Sequence, residues 1–497
     1  MKPEKEELPS QKNIQNKYMD VDLDRALDLS GAGRYQVFHC AMMLAVISTV
    51  IVEMIGNAFI LPAAVCDLGL SNSLRGLLTS VPNIGVILTA PVWGRAADAF
   101  GRKPVLLFST AVSGIFALVA AFMPNLISFA LFKFASSLFL SCPSSLGFAY
   151  AGELMPRQKR DLAVMICNAL SMLTSTFCPL LAWGILSYNW DSSPIPLRPW
   201  RVLTVVYAAP VICAAIWVTQ AKESPKFLMA KGRHEEALDV LKHIYAFNTG
   251  LDKENYCVKS LKICSDDTIE YNSDSPSSKE DSLSLLKPPH LKWLVLIGFL
   301  MFGLFSLLNG LFLFVPDTLN KAVLSDKPRT VCELINQPQN QTSAVCSDTI
   351  SYGTFQVTVI CSLVYGTLVM LVSLSSVSKR TQLIIMYSLV GVTCIISALT
   401  TNKLLAGISM SALQITALGI GPLTAYAVEM FPTTLRGTAV GAVLMFGRVG
   451  SVVGANLAGV FLAGSCTATF YGFSGLLFLC AFLSAFLQRE QTTNQVT

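Results

Sequence analysis

Charge is scarce in this sequence. Asp, Glu, Lys and Arg supply only 13% of its 497 residues, about half the share usual in soluble proteins. That scarcity excludes a soluble enzyme and a disordered chain. Four histidines occur, none paired at ligand spacing, so no metal site is legible. No phosphate-cradling loop of Walker type is present, which removes ATP as a driving force and nucleotide as a partner. No Lys/Arg block of nucleic-acid-binding length accompanies the net charge of +5. No nucleophile–base pair stands out either, so neither an enzyme nor a cofactor is expected. The first 35 residues are polar and lack the short apolar core of a cleaved signal peptide. The first membrane helix is then expected to act as the targeting signal, which fits a cytosolic N-terminus.

What the chain has is apolar length: 53% hydrophobic residues and a mean hydropathy of +0.56. One crossing needs ~20 apolar residues, so twelve would use about 240, roughly half the chain. Apolar stretches fall near 36–60, 74–94, 104–123, 126–150, 162–188 and 201–218, then near 291–315, 351–374, 381–400, 404–428, 438–463 and 469–487. The expected fold is an all-α polytopic membrane protein with two six-helix bundles, 36–218 and 291–488. A tail, 1–35, precedes them and a short one, 489–497, follows. A linker, 219–290, separates them, with an amphipathic helix over Ser224–Leu241 and a flexible acidic stretch near 265–284.

Lys and Arg collect in the loops after even-numbered spans: Arg95, Arg102 and Lys103; Arg157, Lys159 and Arg160; Lys379 and Arg380; Arg436. The positive-inside rule then puts both tails and the linker in the cytosol. The loop 316–350 falls on the opposite, oxidising side. It carries Cys332, Cys346 and the sequon Asn340-Gln341-Thr342. Together these predict a Cys332–Cys346 disulfide and glycosylation at Asn340. Eight other cysteines lie in apolar runs, where the thiol is usually a small buried hydrophobe.

An internal repeat supports two homologous halves. Residues 149–164 read AYAGELMPRQKRDLAV and 425–440 read AYAVEMFPTTLRGTAV. Glu153, Pro156 and Arg160 recur as Glu429, Pro432 and Arg436, each 276 residues on. Parallel repeats of this kind place a binding site between halves, near the membrane midplane.

After span 2 stands Gly94-Arg-Ala-Ala-Asp98-Ala-Phe-Gly101-Arg102-Lys103. Its glycines permit a tight turn, and its acid can cap a helix or pair with the following bases. The run resembles the G-x-x-x-D-x-x-G-R-K signature of the major facilitator superfamily. The counterpart after span 8, Ser375-Ser-Val-Ser-Lys379-Arg380, keeps the bases and loses the acid and glycines. The paired Glu-x-x-Pro-x-x-x-Arg motifs and Glu223-Ser-Pro-Lys-Phe-Leu resemble the sugar-porter and organic-ion branches. The stretch from Trp200-Arg-Val to Gly232-Arg-His-Glu-Glu-Ala-Leu-Asp-Val-Leu is most similar to the synaptic vesicle glycoprotein 2 family, although the loop after span 7 is much shorter here. The resemblance implies a conformational latch built from Gly94, Asp98, Gly101, Arg102, Lys103, Glu153, Arg160, Glu223, Glu429 and Arg436. It also implies a cavity role for Trp183.

An ionisable side chain at the bilayer centre costs about 2.5–3.5 kcal/mol, so each one asks for a reason. Glu53 shares a helical face with Thr49, Gly56 and Asn57 in span 1. It is either a cavity carboxylate or a helix-packing hydrogen bonder. Lys133 heads a span 4 stripe with Ser137, Ser141 and Ser144; it either pairs with Glu53 or snorkels to an interface. Arg448 lies in span 11 beside Gly450, Gly454 and Ala458, a small-residue face suited to close helix contact. Two residues from Gly450 is about 200° of rotation, so Arg448 points off that seam, towards cavity or lipid. Its fork suits carboxylate or sulfate. Asn309, Gln356 and Gln414, with Tyr150, Phe305 and Phe312, are further cavity candidates, the amides because a buried amide needs partners.

These readings converge on a monomeric secondary transporter of a small polar organic solute in the lipid bilayer. An organic anion or zwitterion is favoured over a sugar, with Glu53 able to carry a coupled proton. The rival is a vesicle glycoprotein that binds a partner without moving solute. The resemblance suggests the plasma membrane or a secretory or synaptic vesicle membrane.

Overall fold

A backbone crossing hydrocarbon must satisfy its own N–H and C=O groups, and a helix does so locally. The computed structural model describes residues 20–188, 198–262, 287–288, 290–324, 329–335, 350–373, 377–431 and 433–487. Among them, twelve helices are long and apolar enough to cross a membrane. Spans 1–6 are Arg34–Ala63, Asn72–Phe100, Arg102–Ala120, Leu126–Glu153, Arg157–Leu186 and Pro199–Val218. Spans 7–12 are His290–Val323, Tyr352–Val369, Lys379–Leu399, Lys403–Glu429, Thr438–Leu462 and Cys466–Ser484. The fold is the all-α bundle that the hydropathy pattern predicts. Beyond it, the described residues include a two-residue parallel pairing of Asp20–Val21 with Ser260–Leu261, which ties the segment before span 1 to the linker.

Spans 3 and 4, 2 and 4, and 3 and 6 pack closely in the first half; spans 7 and 11, and 9 and 12, do so in the second. The halves meet chiefly along spans 2 and 11, and again along spans 5 and 8. Glycine makes these approaches possible. A Cβ on Gly450 or Gly454 would collide with the span 7 backbone at Phe302 or Ser306, and one on Gly76 would strike Ala455 of span 11. Small residues at such seams let backbones touch, which is the main source of helix affinity inside lipid.

Because successive spans reverse direction, the bundle has two faces. The linker helices Pro225–Ala230 and His234–Thr249 lie at one, called here the linker face; the opposite one is the far face. The sequence predicts a single helix over 224–241. Gly232, at φ +71°, instead turns the chain between two helices. Their buried residues Phe227, Leu228, Leu241 and Ile244 share an apolar cluster with Leu23 and Leu27 of the helix Leu23–Ser30. The acidic stretch 265–284 lies outside the described residues, as do Asn340 and Cys346.

Three spans are not continuous α-helix. Span 5 tightens to a 3₁₀ turn at Thr174–Thr176, span 7 at Leu311–Phe314 and span 10 over Ala412–Gly419. Such irregular backbone is tolerated at membrane depth where protein or a cavity surrounds it. Span 7 then resumes as the helix Val315–Leu324, beyond the position near 315 where its apolar run ends. Pro316 is accommodated because it sits in that helix's first turn, where a missing N–H breaks no bond.

The disulfide expectation is overturned. Cys332 bonds to Cys466, with Cα atoms 5.4 Å apart. The short helix Val331–Ile335 packs over the start of span 12, so the nearest thiol in space is 134 residues away in sequence. Cys66 is disulfide-bonded as well. The Cys332–Cys466 bond clamps the loop after span 7 to the far-face end of span 12. Non-reducing peptide mapping should recover Cys332 joined to Cys466. Recovery of Cys332 joined to Cys346 would contradict this packing.

Candidate functional site

Span 11 turns two faces to two neighbours. Gly450 and Gly454 meet span 7, where Ser306 Oγ also donates to Gly450 O at 3.1 Å. The adjacent face, carrying Arg448, Val452, Ala455, Asn456 and Gly459, meets span 2. There Asn456 Nδ2 donates to Ser80 Oγ at 2.7 Å, and Ser80 Oγ donates to Val452 O at 3.4 Å. Arg448 therefore projects at the first half rather than into its own seam. Its Nη1 donates to Asn83 Oδ1 of span 2 at 3.2 Å and lies 3.1 Å from Met54 Sδ of span 1. Its guanidinium sits 5.6 Å from the centre of the Phe305 ring. No carboxylate among the described residues lies within ion-pairing distance of it.

Glu53 and Lys133 pair directly, Nζ to Oε1, and each is only 4% exposed. The pair joins span 1 to span 4 within the first half. Adjacent residues on a helix point about 100° apart, so span 1 offers Glu53 to Lys133 and Met54 to Arg448. The local charge sum is one carboxylate against two cations, a net +1.

A cavity between the halves is lined by Ile55, Ser175, Phe312, Ser362, Ser411 and Gln414, among others. Its free space is about 10 Å³, the room needed by roughly one water. All three 3₁₀ segments reach it, through Ser175, Phe312 and Gln414. Gln414 is buried, with Oε1 3.5 Å from Ser362 Oγ; the Oγ atoms of Ser175 and Ser411 are buried without a hydrogen-bond partner among the described residues. The other proposed cavity residues are scattered around this core. Asn309 donates to Ser451 Oγ at 2.9 Å within the second half. Asn57 is buried in span 1. Trp183 packs edge-on to Tyr352, 5.1 Å between ring centres, across the halves towards the far face. Gln356 is exposed.

At the linker face the motif residues form one cluster. Span 2 stays helical through Gly94 to Phe100, so the turn falls at Gly101, at φ +108°. A Cβ there would collide with the Glu223 carboxylate. Glu223 Oε1 accepts from the backbone N–H groups of Arg102 and Ser224 at 2.9 and 2.8 Å, and more distantly from Lys103 at 3.3 Å. It thereby caps span 3, where an anion suits the helix N-terminus. Asp98 pairs with Arg102 at 2.8 Å, and Arg102 also reaches Glu153 at 3.2 Å. Arg160 donates to Gly152 O at 3.1 Å and to Asp24 at 3.0 Å. In the second half Lys379 pairs with Glu429; the side chain of Arg436 lies outside the described residues.

Reasoning from the sequence did not single out Asn83, nor Arg75 and Asp317, which pair across the halves at 3.1 Å. One signal was available. Arg75, Thr79 and Asn83 recur every four residues in span 2 and make a polar stripe on an apolar helix.

Known proteins supply the comparison. The Major Facilitator Superfamily model matches residues 41–327. Rat synaptic vesicle glycoprotein 2C is 29% identical over 283 residues, which are 55% of this chain and 39% of that protein. Human synaptic vesicle glycoprotein 2A is 29% identical over 255 residues, 49% of this chain and 34% of that protein. The matched regions thus span well under half of those relatives. Among solved structures, an inward-open form of the xylose transporter XylE from E. coli superposes with a TM-score of 0.64 at 16% identity, covering 92% of this chain and 97% of that one. A crystal structure of a D-xylose–proton symporter gives 0.62 at 14% identity, covering 92% and 98%. The likeness to these structures is one of fold.

The buried pair yields a stability test. Removing one partner of a buried ion pair costs about 3–5 kcal/mol, whereas replacing both by apolar or neutral groups of similar size is often neutral. Glu53→Gln should lower the unfolding midpoint of purified protein sharply, and Glu53→Gln/Lys133→Met should recover most of the loss. Equal midpoints for the single and double variants would mean that solvent reaches the pair.

Proposed function

Because the chain belongs to the Major Facilitator Superfamily, we propose that it is a membrane carrier moving a small organic anion by alternating access between its two halves. The observation that carries this reading is the Arg448 guanidinium. It bridges from span 11 to Asn83 and Met54 of the other half with no carboxylate described beside it. Glu53 and Lys133 cancel, so the net +1 left at mid-depth favours an anion over a cation. Carboxylate and sulfate match the planar fork of arginine. Phe305 and Phe312 offer apolar surface for the body of the solute. Ser362 and Gln414 can bind its polar groups.

The linker face is taken as cytosolic, in accord with the Lys and Arg of its loops. The membrane is that of a secretory or synaptic vesicle, or the plasma membrane. Glu53 is the group assigned to a coupled proton: protonation would release Lys133, and its cost would change as water access alternates. The rival reading, a partner-binding membrane protein without transport, draws on the loss of the acid and glycines in the loop 375–380.

Binding decides between them. A ligand at 100 times its Kd stabilises a two-state protein by about 2.7 kcal/mol. A panel of organic anions, sugars, amines and amino acids should give a thermal shift in the anion set, and Arg448→Ala should remove it. No shift from any solute, in a protein that melts cooperatively, would favour the partner-binding reading.

A further inference from the structure

Arg75 stands in the first turn of span 2, at the far face, and is only 3% exposed. Its Nη1 meets Asp317 Oδ2 of span 7 at 3.1 Å, and its guanidinium lies 5.1 Å from the centre of the Phe314 ring. Asp317 has a second cation, Lys321 Nζ, at 3.5 Å. Arg75 has no such surplus of acceptors: its Nε and Nη2 are buried without a hydrogen-bond partner among the described residues. Two cations against one carboxylate again leave a net +1.

The pair spans the halves where they are most tightly apposed. Gly76, next to Arg75, abuts Ala455 and Gly459 of span 11, and Asn456 reaches Ser80 one turn deeper. For the far face to open, Arg75 must leave Asp317. The cost of leaving is unequal on the two sides. Asp317 keeps Lys321, so its carboxylate is not orphaned. Arg75 gains solvent for two donors that the closed state leaves unsatisfied, a condition that itself costs free energy. Once the mouth opens to water, a guanidinium with donors to spare can take a carboxylate or another small anion in place of Asp317. Directly beneath it, Thr79 and Asn83 continue the same helical face, about 6 and 12 Å deeper at 1.5 Å per residue. Asn83 is the group that holds Arg448.

We propose that Arg75 and Asp317 form the far-face gate, and that Arg75 is an anion-binding group at its mouth, so that a small anion arriving from that side competes with Asp317 and favours opening. The gate belongs to the anion-carrier reading above, and it supplies that reading with an entry point and a stripe leading to Arg448. An anion that binds Arg75 only after the halves part shifts the equilibrium by its differential affinity for the open state.

The test reads gate opening without any transported solute. Thr79→Cys places a thiol just beneath the pair, and its rate of modification by a membrane-impermeant maleimide is measured from the far face in proteoliposomes. Protein without the added cysteine gives the background. Arg75→Gln and, as the gentler change, Asp317→Asn should each raise the rate about tenfold, a population shift of ordinary size. Arg75→Asp/Asp317→Arg should return it towards that of the parent. Potassium acetate or potassium chloride added on the far face should raise the parent rate by about fivefold, a usual allosteric coupling, and should leave Arg75→Gln unchanged. Chloride acting as well as acetate identifies an inorganic anion as sufficient; acetate acting alone identifies a carboxylate. Unchanged rates in both single variants, failure of the exchanged pair to restore closure, or an anion response that survives Arg75→Gln would overturn the proposal. Loss of Arg448-dependent binding with an intact gate would count against the carrier reading alone.

Discussion

A guanidinium at the depth of Arg448 costs about 2.5–3.5 kcal/mol to insert, and the arrangement of the surrounding spans follows from meeting that cost. Gly450 and Gly454 allow span 11 to lie against the span 7 backbone. That contact fixes the rotation of span 11 and aims Arg448 at the other half. Asn83, Met54 and the face of Phe305 then receive it. None of these carries a negative charge. The carboxylate nearest in sequence to those contacts, Glu53, is committed to Lys133. The positive charge is therefore met by neutral groups alone among the described residues.

The two faces of the bundle are organised differently. At the linker face the charged clusters named above stay within one half: Glu223, Arg102, Asp98 and Glu153 in the first, Lys379 and Glu429 in the second. At mid-depth and towards the far face, polar contacts cross between halves through Arg448, Asn456 and Arg75, and an aromatic one through Trp183. The conformation described is thus drawn together at the far face. Gly76 and Gly459 let spans 2 and 11 touch across the halves, and Asn456 hydrogen-bonds Ser80 beside them. The 3₁₀ segments of spans 5, 7 and 10 converge on the cavity between the halves, where helical continuity is sacrificed for side-chain placement.

Much of this was legible in the sequence because membrane insertion makes certain residues expensive. Twelve apolar runs, the repeat at 276 residues and the three charges Glu53, Lys133 and Arg448 all stand out against a hydrocarbon background. Arg75 and Asp317 did not, because they lie near span ends, where charge is cheap and common. Asp317 was hidden further by Pro316, which reads as the start of a loop although it opens a helix. The Cys332–Cys466 disulfide was illegible for a different reason. Proximity within one loop is a local property, whereas the seating of Val331–Ile335 on span 12 is set by tertiary packing. The signature glycines suggest a tight turn, and the structure keeps the helix through Gly94 and turns at Gly101. Of those two glycines only Gly101 carries a positive φ, and the cap on span 3 comes from Glu223, more than a hundred residues away.

Solute counterflow tests the central claim most directly. Purified protein is reconstituted into liposomes loaded with an unlabelled organic anion that gives an Arg448-dependent thermal shift. Uptake of the labelled anion from outside is then followed with no ion gradient applied. An alternating-access carrier with an anion site at mid-depth predicts transient accumulation that depends on the internal anion, is absent with internal sugar or amine, and is lost in Arg448→Ala protein that still folds. Binding without counterflow, or counterflow indifferent to Arg448, would contradict the account.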